Sequence, residues 1–366
     1  MEQNSQVPVF IKLSQITIGV VGFFFVLYIG QDIIIPLIFS VIIAILLNPL
    51  VNYLQRKRCN RTVAIFIAVL FAFLFIAGIF FFIGSQASMF SDALPQLKQK
   101  FTLIFADAVN WVSETFNVST KNIQQLIEKQ KNEGLNKGSV MIGQTINTIG
   151  GFLVIVFLLP VYIFLFLFYK PLLLDFIAHL FPVSKHNTVL EVLTESKSMI
   201  QNYLVGLLIE AGIVAALNSA GLFMLGIQYA LLLGVIGALL NIIPYIGGII
   251  AISLPMLLAL ATKDPIYALY VLAVYIAVQF IDNNFIVPKI VASKVKINAL
   301  VSIVVVLIGG ELWGVTGMFL SLPLTAIIKV VCDRIEPLKP WGFLLGDTMP
   351  TIGSNFFNLK PKKPNK

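Results

Sequence analysis

Six stretches of this chain are almost free of charge for the length of a membrane crossing: residues 9–30, 33–54, 62–84, 149–169, 204–226 and 266–287. A helix rises 1.5 Å per residue, so about 20 apolar residues cross the ~30 Å of hydrocarbon in a bilayer. Two further regions, 230–262 and 298–332, are apolar but interrupted. The first breaks at Asn241-Ile242-Ile243-Pro244-Tyr245-Ile246-Gly247-Gly248 and the second at Gly309-Gly310-Glu311-Leu312-Trp313-Gly314. Composition agrees with a lipid environment, because 58% of residues are hydrophobic and 11% are charged. A soluble domain carries about 25% charged residues, so too little polar surface is present to cover a globule in water. The fold class expected is an all-α polytopic membrane protein. It would have about eight transmembrane helices, interrupted or re-entrant hairpins included, and amphipathic helices outside the membrane.

The net charge of +8 is concentrated in short links. Arg56, Lys57, Arg58 and Arg61 crowd the link after the second run, whereas the link after the first holds only Asp32. Lys289, Lys294 and Lys296 follow the run ending near 287, and the tail holds Lys360, Lys362 and Lys363. Lys and Arg in short loops set orientation. All three clusters fall on one side if both termini are cytoplasmic and each interrupted region is a hairpin, the arrangement expected for a bacterial inner-membrane protein. Such clustering is no nucleic-acid footprint. Cys59 and Cys332 lie beside basic clusters without metal-like spacing and read as free thiols on the reducing side.

This divides the chain into N-terminal transmembrane helices (1–84), an extracytoplasmic amphipathic segment (85–148) and a transmembrane helix (149–171). Cytoplasmic amphipathic helices (172–203), a C-terminal transmembrane core (204–333) and a basic cytoplasmic tail (334–366) follow. In 85–148, Leu94, Leu97, Phe101, Phe105, Ala108, Val112 and Phe116 recur every three or four residues, a helical stripe that packs on its own hairpin, on the membrane surface or on a second subunit. The segment 172–203 breaks at Pro182 and places Leu190, Leu193, Ile200 and Tyr203 on one face.

Within hydrocarbon every backbone N–H and C=O needs a partner, so a broken helix persists where protein or a wet cavity supplies one. Paired Gly/Pro-interrupted segments therefore point to the solute site of secondary transporters. Here Ile252-Ser253-Leu254-Pro255 and Leu320-Ser321-Leu322-Pro323 each follow a break. Pro244, Gly247, Gly248, Gly310 and Gly314 are the candidate hinge positions, the glycines because they let backbone bend or approach a solute closely. Two kinked hairpins of no functional meaning remain the alternative. A charge at the membrane centre costs about 2.5–3.5 kcal/mol on insertion scales, so intramembrane polar groups usually face the bundle interior. The candidates for solute or ion binding are Glu210, Asn241, Gln279, Asp282, Asn283 and Glu311. Gln279, Asp282, Asn283 and Ile286 share a helical face by spacing. Five of the candidates also have a structural reading: a helix–helix hydrogen bond for Glu210, an amphipathic helix end for Gln279, Asp282 and Asn283, and an exposed hairpin tip for Glu311.

The C-terminal half resembles the autoinducer-2 exporter (AI-2E) family of PerM-like permeases. The resemblance rests on Tyr229-Ala230-Leu231-Leu232-Leu233-Gly234 and Asn241-Ile242-Ile243-Pro244-Tyr245-Ile246-Gly247. It continues in Gln279-Phe280-Ile281-Asp282-Asn283-Asn284-Phe285-Ile286-Val287-Pro288-Lys289 and Gly314-Val315-Thr316-Gly317-Met318-Phe319-Leu320-Ser321-Leu322-Pro323-Leu324, with Leu46-Leu47-Asn48-Pro49-Leu50 fitting upstream. It implies a permease for small polar solutes, autoinducer-2 in some members, or sodium exchanged against protons in others. Many relatives carry His-Pro or Pro-Pro where this chain has Ile297-Asn298-Ala299, so no role for that pair carries over.

The expected function is a secondary transporter of a small polar solute, or a sodium/proton antiporter, with no cofactor beyond a coupling H+ or Na+. Its cavity would be floored by both breaks. Its partners would be the bilayer, a small polar solute or monovalent cation, and a second copy of itself in a homo-oligomer. A channel gated within such an oligomer and a non-transporting scaffold are the alternatives. An enzyme is not expected: no Gly-Lys-Ser/Thr phosphate loop, His-Glu-x-x-His or Gly-x-Ser-x-Gly motif is present.

Overall fold

The computed structural model of the protein describes residues 9–116, 158–243, 247–291 and 297–348. Pro244, the polar stretch 128–137 and the lysines of the tail lie outside the described residues. All regular elements among those residues are helices, with one isolated bridge between Ile297 and Gly346. In chain order they are α1 (Val9–Ile29), α2 (Gln31–Arg56), α3 (Arg61–Phe116), α4 (Leu158–Phe168) and α5 (Lys170–His179). After a 3-10 turn at Val183–Lys185 come α6 (His186–Met224), α7 (Ala230–Asn241), α8 (Gly247–Thr262) and α9 (Ile266–Ile281). A π-helix (Asp282–Val291) prolongs α9, and α10 (Ala299–Arg334), a 3-10 turn at Glu336–Leu338 and α11 (Lys339–Leu345) close the order.

Five described helical segments are long and apolar enough to cross a membrane, and six if α4 and α5, bent by 61° at Tyr169, count as one. The sequence estimate of about eight differs at the short elements. At 1.5 Å per residue, α7 reaches only ~18 Å and α8 ~24 Å, so neither spans hydrocarbon alone. They pack as a hairpin joined through the Asn241-to-Gly248 break.

The second break behaves as expected locally. The helix assignment runs through α10, but Trp313 (φ −136°, ψ 18°) and Gly314 (φ 62°, ψ −145°) are not helical. Gly314 occupies backbone space that only glycine enters readily, so the chain turns there. Gly309 and Gly317 then face each other across the turn so closely that a Cβ on either meets the other's carbonyl. The indole N–H of Trp313 donates to the Leu27 carbonyl at 3.0 Å and ties the tip to α1. The two Ser-Leu-Pro matches have the same local form. Ser253 Oγ donates to Ile250 O and Ser321 Oγ to Met318 O, each at 2.7 Å, and Pro255 and Pro323 are both fully buried.

Two helices run through changes of pattern. The membrane-length apolar segment is Arg61–Ser85, matching the run 62–84, and α3 continues past it without a break to Phe116. Likewise α6 begins at His186, after the break that Pro182 imposes, and carries the expected cytoplasmic stripe straight into the apolar run. Ile200 and Tyr203 of that stripe are buried, but Leu190 is 65% exposed, because it lies beyond the reach of the helices that pack on α6 further along.

Helix α6 is the axis of the bundle, packing on α7, α9, the π-helix, α10 and α2. One core cluster joins Ile42, Ile200, Tyr203, Leu204, Leu207 and Leu320; another joins Leu222, Leu233, Leu258 and Val271. The first lies toward the end where Arg334 pairs with Glu191 and Glu195 at 2.7 and 2.8 Å. At the opposite end the Lys263 ammonium donates to Leu225 O at 3.0 Å. The exposed Phe, Leu and Ile side chains of α1 and α3 face outward, as lipid contact requires.

Candidate functional site

Between α6, the α7–α8 break, α9 and the π-helix lies a cavity of about 760 Å³. Tyr203, Leu207 and Glu210 line it from α6, at a spacing of four and three that places them on one helical face. Tyr275, Ile276, Gln279, Asp282 and Asn283 line it from α9 and the start of the π-helix, and Val287 follows one π-turn later. Asn241, Ile242, Gly248, Ile249 and Ile252 come from the first break.

Asp282 is the centre of the polar wall. It is 1% exposed, and its Oδ2 accepts from Asn241 Nδ2 at 3.0 Å and from Gln279 Nε2 at 3.5 Å. Gln279 Nε2 also reaches Asn283 Oδ1 at 3.2 Å. Asp282 Oδ1 is buried and has no hydrogen-bond partner, an unusual position for a carboxylate oxygen. Glu210 is 7% exposed and lines the same cavity as Asp282 and Tyr203. Among the described residues no lysine or arginine lines the cavity. The lining side chains make it a hydrogen-bonding space with two carboxylates.

Its depth follows from α6. Glu210 stands roughly 22 Å along that helix from Glu195 at one end and roughly 21 Å from Met224 at the other. Glu210 thus stands midway between those two positions on α6 and about a turn and a half into the apolar run that begins at 204.

The π-helix has a local cause. Pro288 has no N–H, and in an α-helix its ring would crowd the carbonyl four residues back, at Asn284. Winding to five residues per hydrogen bond relieves this, and π segments recur at functional sites. Asn284 adds to the effect by donating its side-chain amide to Phe280 O at 2.8 Å.

Five of the six candidate binding residues meet in this cavity: Glu210, Asn241, Gln279, Asp282 and Asn283. Glu311 does not, being exposed in the turn region of the α10 hairpin. Ile286, expected on the same face, is buried against Val214 instead, since the π-winding rotates it away. Of the hinge candidates, Gly248 lines the cavity, and a Cβ there would lie 3.3 Å from Gln279 Oε1. Gly247 sits against the Leu240 carbonyl, with no room for a side chain. Gly310 and Gly314 stand apart, so the second break does not floor the cavity; Leu322 is its only lining residue from that hairpin. Sequence reasoning passed over Tyr203 and Tyr275 as cavity residues. Each stands seven residues before a carboxylate, Glu210 and Asp282, and that spacing is the signal that finds them.

Residues 18–336 match the family described as "AI-2E family transporter". The chain belongs to this family. Among AI-2E proteins it is 26% identical over 310 residues to YrrI of Bacillus subtilis, provisionally named a transport protein, covering 82% of this chain and 86% of that one. It is 24% identical over 351 residues to YhhT of Escherichia coli, also provisionally named a transport protein, covering 93% and 95%. It is 24% identical over 322 residues to the AI-2 transport protein TqsA of Escherichia coli, covering 87% and 90%. The AI-2E match runs from within α1 to the end of α10 and takes in the whole cavity. The protein is thus a multi-pass membrane transporter.

Proposed function

We propose that the protein is a secondary permease, not an enzyme, that moves a small polar solute such as autoinducer-2 through the cavity between α6, α9 and the α7–α8 break. The observation that carries this reading is the pair Glu210 and Asp282, both buried beside a hydrogen-bonding wall that holds no lysine or arginine among the described residues. Intramembrane carboxylates of this kind mark ion and substrate paths. Asn241, Gln279 and Asn283 would bind the solute's hydroxyl or carbonyl groups, and Gly248 would let it approach backbone. Glu210 and Asp282 would carry the coupling proton or sodium ion, since a carboxylate can exchange one for the other. The same pair supports sodium/proton antiport as the second reading. A bacterial inner membrane with both termini cytoplasmic, and assembly with further copies of the chain, complete the proposal.

The test is purified protein in liposomes with a trapped pH dye and an imposed proton gradient. Sodium, potassium or autoinducer-2 is added in turn. The expected result is that one addition dissipates the gradient, and that Glu210→Gln or Asp282→Asn abolishes this. If no addition moves the dye, proton coupling is wrong. If labelled autoinducer-2 uptake is absent as well, the permease reading of that solute is wrong.

A further inference from the structure

Three buried polar side chains, one in the cavity wall and two beyond it, each carry an atom with no hydrogen-bond partner. Asn218 and Ser219 on α6 are 3% and 8% exposed, and Tyr275 on α9 is 7% exposed. The side-chain oxygen of Asn218 and the hydroxyls of Ser219 and Tyr275 have no hydrogen-bond partner. Buried polar atoms are nearly always bonded, so three orphans together call for a ligand that comes and goes.

They are contiguous. A Cβ on Gly237 of α7 would lie 3.1 Å from the Tyr275 hydroxyl and 3.5 Å from Asn218 Nδ2. One turn earlier, a Cβ on Gly234 would collide with Ser219. The bare face of α7 thus covers the polar groups of α6 and α9. Tyr275 also lines the cavity, which joins the two spaces. Asn218 lies about 12 Å further along α6 than Glu210, on the side away from the Arg334 end. Leu222, Leu233 and Leu258, in one buried cluster, close the far end.

We infer that the transport route leaves the cavity through this seam between α6, α7 and α9, with Tyr275 at its mouth and Asn218 and Ser219 as the hydrogen-bonding positions beyond. The inference rests on the permease reading above and adds a route to it. Among the described residues the buried charges are Glu210 and Asp282, both in the cavity. The seam itself has two hydroxyls, one amide and no charge. Its oxygens and amide can pass hydrogen bonds to a polar solute.

The test uses the full chain in proteoliposomes with Cys59→Ala and Cys332→Ala, and one cysteine introduced at a time. The positions are Gln279 in the cavity, Ser219 and Asn218 in the seam, and Phe223, which is 75% exposed on the outer surface of the bundle. The probe is neutral, water-soluble hydroxyethyl methanethiosulfonate, which reacts with a hydrated thiolate. Labelling of Ser219→Cys or Asn218→Cys within about tenfold of the Gln279→Cys rate, and at least about a hundredfold faster than Phe223→Cys, is the expected result. Two seam positions are used so that the tight contact of Ser219 with Gly234 cannot by itself decide the outcome. If Gln279→Cys reacts while both seam cysteines stay at the Phe223→Cys rate, the route is wrong and the cavity reading stands. If Gln279→Cys is silent too, the wet cavity falls, and the seam falls with it.

Discussion

Asn241 and Asp282 are 41 residues apart in the chain and meet through a 3.0 Å hydrogen bond at the centre of the cavity. The bond links the end of α7, where the first broken hairpin turns, to the point where α9 becomes a π-helix. The amide therefore has two tasks: it satisfies a buried carboxylate and it holds the break against α9. Replacing it with Asn241→Leu leaves Asp282 with only the longer 3.5 Å contact from Gln279. An orphaned buried polar group costs about 1–3 kcal/mol, more when charged. Thermal unfolding in detergent should show Asn241→Leu less stable than Gln279→Leu by a margin of that order. Equal losses would mean that Asn241 is not the main support of Asp282.

The two glycines of the first break should respond differently to one methyl group. At Gly247 a Cβ meets the Leu240 backbone carbonyl, which cannot move without unwinding the end of α7. At Gly248 it lies 3.3 Å from Gln279 Oε1, the far end of a side chain that can swing. Gly247→Ala should therefore lower the yield of folded protein severalfold. Gly248→Ala should fold normally and weaken solute transport by displacing Gln279 from the cavity wall. Size-exclusion profiles beside uptake assays separate the two effects, and a well-folded Gly247→Ala protein would show that the break is looser than this geometry requires.

Much of this arrangement is legible in the residues alone. Apolar length and the placement of Lys and Arg suffice for an all-α polytopic protein, because lipid leaves helices few alternatives. The break at Asn241 and the polar group at Gln279 to Asn283 are visible as interruptions of apolar runs, and burial in lipid makes such interruptions converge. Which interruptions converge was not legible. Glu311 and Gly310 read as equal partners of Asp282, yet α10 turns at Gly314 and is tied to α1 by Trp313, far from α9. The π-winding is a response to Pro288 and Asn284 acting together, and α-helical spacing therefore misplaced Ile286. Helix continuity was equally hidden: nothing in the change from apolar to amphipathic pattern at residue 84 stops a helix, and α3 passes through it.

The tip of α10 gives a prediction about backbone alone. Gly314 has φ 62° and ψ −145°, and no atom lies within 4 Å of where its Cβ would be. Gly314→Ala therefore meets no steric neighbour and pays only the conformational cost, about 1–3 kcal/mol for a non-glycine residue in such a region. Trp313→Phe removes the bond to Leu27 O and should cost about 0.5–1.5 kcal/mol. Both values are read from denaturant or thermal unfolding of the purified variants. A neutral Gly314→Ala would mean the turn relaxes to an ordinary helical kink.

The ionic end of the bundle provides a contrast between arginines. Arg334 reaches Glu191 and Glu195 at 2.7 and 2.8 Å, but the three side chains are 41%, 57% and 49% exposed, so water and salt screen them. Arg334→Ala should cost little, and less still in high salt. Arg61 works differently. Its guanidinium donates to Leu167 O at 3.0 Å and Phe168 O at 2.8 Å, the last carbonyls of α4, next to the 61° bend into α5. Those carbonyls lose their helical partners at the bend, and a charged donor that caps them is worth about 1.5–3 kcal/mol. Arg61→Ala should therefore destabilise the protein more than Arg334→Ala, and its effect should persist at a salt concentration that erases that of Arg334. Thermal unfolding of both variants at low and high salt makes the comparison. A salt-sensitive Arg61→Ala would mean that its charge acts through the neighbouring cation Lys170 and not through the helix end it caps.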